Sequence, residues 1–247
     1  MLNISFVKKS PFLCTIISKK NCTFDKKIMI PIHLIKSTIT PVMTSFSGNQ
    51  VLAAMDESRV THLPIVNNQD FLGVISEADL FNNSMDNSIG TYKLSLSNAF
   101  VLINSHIYDA VKLVCELKLS IIPVIDDNNV YHGYLEPMGL VEHFGNQLSI
   151  NNPGGIIELE LSNQNFSLIE IAQIAEDNEG KILHLGLTTF PDSTKVLLTI
   201  KFDKIDISSI IQAFTRYGYT IAGSYGEDEM KDYLKDRYDS LMNYLNV

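Results

Sequence analysis

Thr61-His62-Leu63-Pro64-Ile65-Val66 and Ser120-Ile121-Ile122-Pro123-Val124-Ile125 lie 59 residues apart and share one pattern, a hydroxyl residue three positions ahead of a proline in an apolar run. Phe71-Leu72-Gly73-Val74-Ile75 and Tyr131-His132-Gly133-Tyr134-Leu135 follow at an offset of 60, each with glycine in third place. A self-match at a nearly fixed offset marks an internal repeat, and a repeat outranks local propensity in deciding a fold. In each copy a polar stretch, Asn67-Asn68-Gln69-Asp70 or Asp126-Asp127-Asn128-Asn129, joins the two apolar runs. This predicts hairpins with loops of four residues or slightly more. Upstream, Val51, Leu52 and Met55 in the first copy and Val111, Val114 and Cys115 in the second recur at helical spacing, and Cys115 reads as a small core hydrophobe. A second helix is predicted after each hairpin, from near Ser76 and near Pro137. The unit is therefore helix, hairpin, helix, over about residues 36–84 and 92–145. One unit exposes an apolar sheet face it cannot cover, so the copies are expected to pack through their strands about a pseudo-twofold axis, with clefts at the junction.

The helix end and strand Arg59-Val60-Thr61-His62-Leu63-Pro64-Ile65-Val66, followed by Gly73-Val74-Ile75-Ser76-Glu77-Ala78-Asp79-Leu80, resembles a CBS motif, and the second copy resembles it more weakly. The resemblance implies a paired module, often called a Bateman module, with adenine nucleotides or related adenosyl ligands in its clefts. AMP, ADP, ATP and S-adenosylmethionine are the regulatory ligands it suggests, none of them an obligatory cofactor. It also implies the site: Gly73, Ser76 and Asp79 fit the family's ribose and phosphate pattern, with Thr61 and Pro64 beside them. The chemistry is consistent, since a carboxylate accepts both ribose hydroxyls and a helix start favours a phosphate. Ser-x-x-Asp is equally an ordinary helix cap, in which the serine accepts from the backbone three residues on. Both readings stand at this point. The second copy has Glu136 and Gly139 where the family has a hydroxyl and an aspartate, so at most one good nucleotide site per pair is expected. Ser120, Thr38 and Thr91 are weaker candidates.

Asn151-Asn152-Pro153-Gly154-Gly155 is the clearest break, rich in turn formers. Beyond it, apolar runs at 156–161, 182–188, 196–202 and 220–224 alternate with helical patterns at 168–176 and 207–217. That order, βαββαβ, is the ferredoxin-like split unit. The fold class expected for the whole chain is α+β, a tandem CBS pair followed by a ferredoxin-like domain. Next to a CBS pair the latter resembles an ACT-type domain. The turn Ser162-Asn163-Gln164-Asn165-Phe166-Ser167 lacks the glycine of that family's ligand loop, so dimerisation is the role expected of it. The arrangement is similar to acetoin-utilisation proteins of the AcuB type. The divisions expected are a basic tail at 1–28, the pair at 29–150, the ACT-like domain at 151–226 and an amphipathic helix at 227–247.

The net charge is −9, yet residues 1–28 hold six lysines against Asp25 alone. The acidic remainder repels phosphate backbones and anionic lipid, which argues against nucleic-acid and membrane partners. The tail's apolar stretch Phe12-Leu13-Cys14-Thr15-Ile16-Ile17 lies between lysine pairs without a cleavage signal, and reads as a disordered tail; translation from Met29, just before the globular pattern begins, is the other reading, and the two starts stay open at this point. Three cysteines without a CxxC pair argue against a disulfide scaffold and for a cytoplasmic setting. The six histidines, His33, His62, His106, His132, His143 and His184, show no metal-ligand spacing, and neither a GxSxG nor a Walker pattern occurs. The expectation is a regulatory homodimer, not an enzyme, acting on a regulated protein that the sequence does not identify.

Overall fold

A computed structural model of the chain describes residues 30–162, 166–191 and 193–226, together with 237–238, 240–242 and 244. The basic tail, the loop 163–165 and most of the amphipathic segment from Glu227 lie outside the described residues. The chain divides into two compact units, one ending at Pro137 and the other starting at Met138.

In the first unit the repeat appears as α1 (Gly48–Ser58), β1 (His62–Asn67), β2 (Asp70–Ser76) and α2 (Glu77–Phe81), then β3 (Val101–Leu102), α3 (Ile107–Leu117), β4 (Ile122–Ile125) and β5 (Tyr131–Leu135), with α4 (Pro137–Gln147) starting at its last residue. Helix α1 begins at a reciprocal cap between Ser47 and Gln50, which satisfies two otherwise orphaned backbone donors. Both first helices end on a residue in the left-handed region, Arg59 and Lys118, again 59 apart. Val51 and Met55 point inward from α1 and meet Leu63, Ile65, Ile75 and Leu80 in one core. Each fully buried side chain of this size contributes about 1.5–3 kcal/mol. Cys115 is exposed, contrary to its expected place in the core. The inward stripe of α3 runs through Ile107 and Ala110, and at about 100° per residue Cys115 falls well off that stripe.

The first hairpin is tighter than expected, because Asn67 pairs with Asp70 and only two residues turn, with Asn68 at φ 57°. Asparagine tolerates that conformation. The second turn runs from Asp126 to Val130, and the Asp126 carboxylate accepts from the backbone N–H groups of Asn128 and Val130. The hairpins also meet each other near their turns: Phe71 N donates to Asn129 O and Tyr131 N to Gln69 O.

The repeat also includes a chain crossing. Lys36, at the start of the first copy, bridges to Tyr134 in the second, and Leu96, near the start of the second, bridges to Val74 in the first. Each crossing passes over a glycine with positive φ, Gly133 at 131° and Gly73 at 148°. A Cβ on Gly133 would stand 2.5 Å from Lys36 O, and one on Gly73 3.2 Å from Leu94 Cδ1. The repeat glycines are thus where a strand admits a second backbone.

The second unit carries β6 (Ile156–Ser162), α5 (Leu168–Asp177), β7 (Ile182–Thr189), β8 (Lys195–Phe202), α6 (Ser208–Arg216) and β9 (Thr220–Tyr225). Its sheet runs β7-β8-β6-β9 with all neighbours antiparallel. Alternation explains the layering. Ile157, Leu159 and Leu161 of β6 and Val196, Leu198 and Ile200 of β8 turn to one face, where they bury Ile171, Ile174, Ile210 and Phe214 of the helices. This is the ferredoxin-like arrangement, and its elements lie within a residue or two of the sequence expectation.

Candidate functional site

The strand β2 delivers Gly73 and Ser76 to the start of α2, and Asp79 follows one helical turn later. Ser76 Oγ donates to Asp79 Oδ2 at 2.7 Å, Ser76 N donates to the same oxygen at 3.0 Å, and Asp79 N donates back to Ser76 Oγ at 3.1 Å. The capping alternative is therefore present in full: these two residues form a reciprocal cap on a helix of five residues. Such a short helix depends on its ends. Ser76 and Asp79 are 7% and 5% exposed, so neither is an open surface group.

The two carboxylate oxygens differ in what they hold. Oδ2 serves the cap, whereas Oδ1 accepts Ser95 N at 3.2 Å. Ser95 belongs to the segment that crosses toward the second copy, next to Leu96. Burial opposes ionisation of Asp79, but the hydrogen bonds from Ser76 and Ser95 outweigh it and hold the carboxyl below its usual range. The Ser76 hydroxyl spends its proton on Asp79, so it offers a lone pair rather than a donor.

Thr61 and His62 sit beside this cap. Thr61 O accepts Glu77 N at 3.0 Å, and His62 pairs with Ser76 across the hairpin. Thr61 N donates to Ser120 Oγ at 3.1 Å, and Ser120 N donates to His62 Nδ1 at 3.2 Å. The two hydroxyl residues ahead of the strand prolines thus meet across the repeat interface, through a histidine, His62, that no sequence motif marks. The offset of 59 aligned Thr61 with Ser120, which was the available signal. Pro64 is buried within β1 and its carbonyl accepts Val42 N, so it shapes the strand and presents no polar atom to a ligand. Thr38 Oγ1 pairs with Tyr134 Oη at 2.7 Å, and Thr91 caps locally onto Ser88 O.

Burial lowers the His62 pKa, against the opposing fields of Asp79 and Glu77. A histidine with a depressed folded pKa contributes stability that is complete above the unfolded value of about 6.5 and is lost as pH falls below it. Protonation at Nδ1 would also turn the acceptor of Ser120 N into a donor. The melting temperature is therefore expected to drop as pH falls below about 6.5, and His62→Gln, with no proton to gain, to flatten that slope. A slope unchanged in the variant would assign it to other groups.

The corresponding place in the second copy is filled differently. Lys36, which bridges Tyr134 as Leu96 bridges Val74, carries its Nζ 2.6 Å from Glu136 Oε2, and Glu136 is the residue equivalent to Ser76. Where the first copy has a backbone N–H on an aspartate, the second has an ion pair between side chains. Among the described residues no cluster of His, Cys, Asp or Glu is arranged to hold a metal ion, and no helix is long and apolar enough to cross a membrane.

The CBS domain family profile matches residues 39–86. No curated protein matches the chain. Among solved structures, a CBS domain pair/ACT domain protein from Thermotoga maritima is 22% identical, with 47% of this chain and 97% of that one covered and a TM-score of 0.44. CBSX2 in complex with AMP, a CBS-pair protein of Arabidopsis thaliana, is 21% identical over 49% and 96%, at 0.40. A putative acetoin utilization protein (AcuB) from Vibrio cholerae is 16% identical over 49% and 93%, at 0.40. The profile match at 39–86, and a second copy with the same parallel strand contact, Val42 to Ile65 in one and Val101 to Val124 in the other, make the first unit a CBS pair.

Proposed function

We propose that this protein is a regulatory sensor that takes an adenine nucleotide or a related adenosyl ligand at the β2–α2 junction of the first repeat, and passes the change to a partner protein. The observation that carries the reading is the division of labour on Asp79. One oxygen is committed to the cap, and the other accepts from a crossing segment, at Ser95. A ribose hydroxyl is a donor of the same kind, and a carboxylate oxygen has lone pairs for both. Ligand entry would replace or share the Ser95 bond and shift residues 94–97, which lie over Gly73. The second cleft takes no adenosyl ligand in this reading, because Lys36 already neutralises Glu136.

The protein acts as a binder and not as an enzyme in this reading, as a cytoplasmic homodimer with the ACT-like unit serving association. The low exposure of Ser76 and Asp79 favours a second reading, a ligand-free interaction module in which the motif is a cap and nothing more. Thermal-shift measurements on the full chain with AMP, ADP, ATP and S-adenosylmethionine separate the two. Ligand at 100 times its dissociation constant adds about 2.7 kcal/mol, a rise of several degrees for a domain of this size. No rise with any of the four rejects the nucleotide reading.

A further inference from the structure

Both helices of the second unit pack on one face of its sheet, which leaves the other face without a covering layer. On that face lies a groove of about 440 Å³, lined by Leu148, Ile150, Ile156 and Leu187 together with Gly186 and Thr199. Ile150 and Leu187 are 61% and 46% exposed, so its apolar walls are bare. Gly186 pairs with Thr199 across β7 and β8, and a glycine inside a strand lets a neighbouring element approach closely.

The chain carries a segment that fits this groove. Strand β9 ends at Tyr225, which pairs with Ile156, so residues 227–247 leave the sheet beside one wall of the groove. In them Leu234, Tyr238, Leu241 and Leu245 recur at spacings of four, three and four, the apolar stripe of an amphipathic helix. Tyr238 and Leu241, which are described, are helical and 59% and 53% exposed. A lone helix of this length is marginal in water and draws its stability from packing an apolar face. The dimensions agree: Leu234 to Leu245 spans about 17 Å as a helix, and four paired strands are about 14 Å across. The charges agree as well. The ionisable side chains lining the groove are His184 and Lys201, with no carboxylate among them, whereas residues 227–247 hold six acidic side chains against three basic ones, so the field of the segment favours this surface.

From these features we infer that the open sheet face is an interaction surface whose occupant is the chain's own carboxy-terminal helix, laid across β6, β8 and β7 with Tyr238 and Leu241 in the groove. Residues 227–233 supply the reversal from the end of β9. The inference is independent of the nucleotide reading, since every residue it uses belongs to the second unit.

The chain has no tryptophan, so Tyr238→Trp in the full chain provides a single fluorescent reporter on the stripe, and Leu245→Trp a second. Each is expected to emit to the blue of free N-acetyltryptophanamide and to be quenched severalfold less by acrylamide. Ile150→Asp and Thr188→Asp, changes at exposed positions of the groove, are each expected to return both readings to those of the free indole while the far-ultraviolet circular dichroism stays that of the parent. Mixing the Tyr238→Trp, Ile150→Asp chain with excess wild-type chain is expected to restore nothing. Free-indole behaviour of both reporters, or protection that survives both groove variants, overturns the assignment. Restoration by the wild-type chain overturns it too, because the occupant is then the helix of a second copy.

Discussion

Gly133→Ala is expected to cost about 3–5 kcal/mol, a large part of the 5–15 kcal/mol available to a domain. The added Cβ would lie 2.5 Å from Lys36 O and 2.8 Å from Ile35 Cγ2, and the closer of these is backbone that has little room to give. Lys36 also exchanges two hydrogen bonds with Tyr134, Lys36 N to Tyr134 O at 2.8 Å and Tyr134 N to Lys36 O at 2.9 Å. Displacing the crossing segment forfeits both, at about 1 kcal/mol each. The backbone adds its own cost, since φ is 131° and an L side chain there is strained by about 1–3 kcal/mol. Gly73→Ala is the internal control. Its Cβ would first meet Leu94 Cδ1 at 3.2 Å, the mobile end of a side chain, and then Ser97 Cα at 3.3 Å. A loss about half as large is expected. Urea unfolding of the two variants measures both, and equal losses would show that the closeness of the crossing chain is not what the glycine serves.

These glycines show where the sequence was readable and where it was not. The repeat offset placed Gly73 and Gly133 in equivalent strands, because alternation, proline and turn residues are local signals that survive in a single sequence. The reason for the glycines was not local. Lys36 and Leu96 carry no pattern of their own, and they reach their partners through isolated backbone bridges about 100 and 20 residues away. Side-chain chemistry does not encode such a contact. The same applies to the candidate site. Ser76 and Asp79 were legible as a pair that both readings use, but Ser95 reaches Asp79 from a segment 16 residues on that has no periodic pattern to announce it. Lys36 and Glu136 are legible as a pair only once the crossing is known. The second unit was read almost completely, because each of its strands alternates and each helix has one apolar face.

Asp79→Ala is expected to destabilise the first unit by about 2–4 kcal/mol, because it strips three donors, Ser76 Oγ, Ser76 N and Ser95 N, of an acceptor at a buried position. Loss of a cap alone accounts for about 1 kcal/mol, and the remainder comes from the unpaired groups. Asp79→Asn keeps a carbonyl oxygen to accept from Ser76 and is expected to cost about 1 kcal/mol, which makes it the variant for ligand work. It also removes a titration. A carboxyl whose folded pKa lies below its unfolded value of about 3.9 contributes stability in full above that value and loses it as pH falls through the folded pKa. The wild-type protein should therefore lose more stability than Asp79→Asn as pH falls below about 4. If ribose hydroxyls donate to Oδ1, the asparagine variant should bind whichever nucleotide raises the wild-type melting temperature about 10- to 100-fold more weakly, the range for a hydrogen bond to a charged group. A nucleotide shift of wild-type size in Asp79→Asn, alongside the altered acid stability, would mean that the carboxylate caps α2 and touches no ligand.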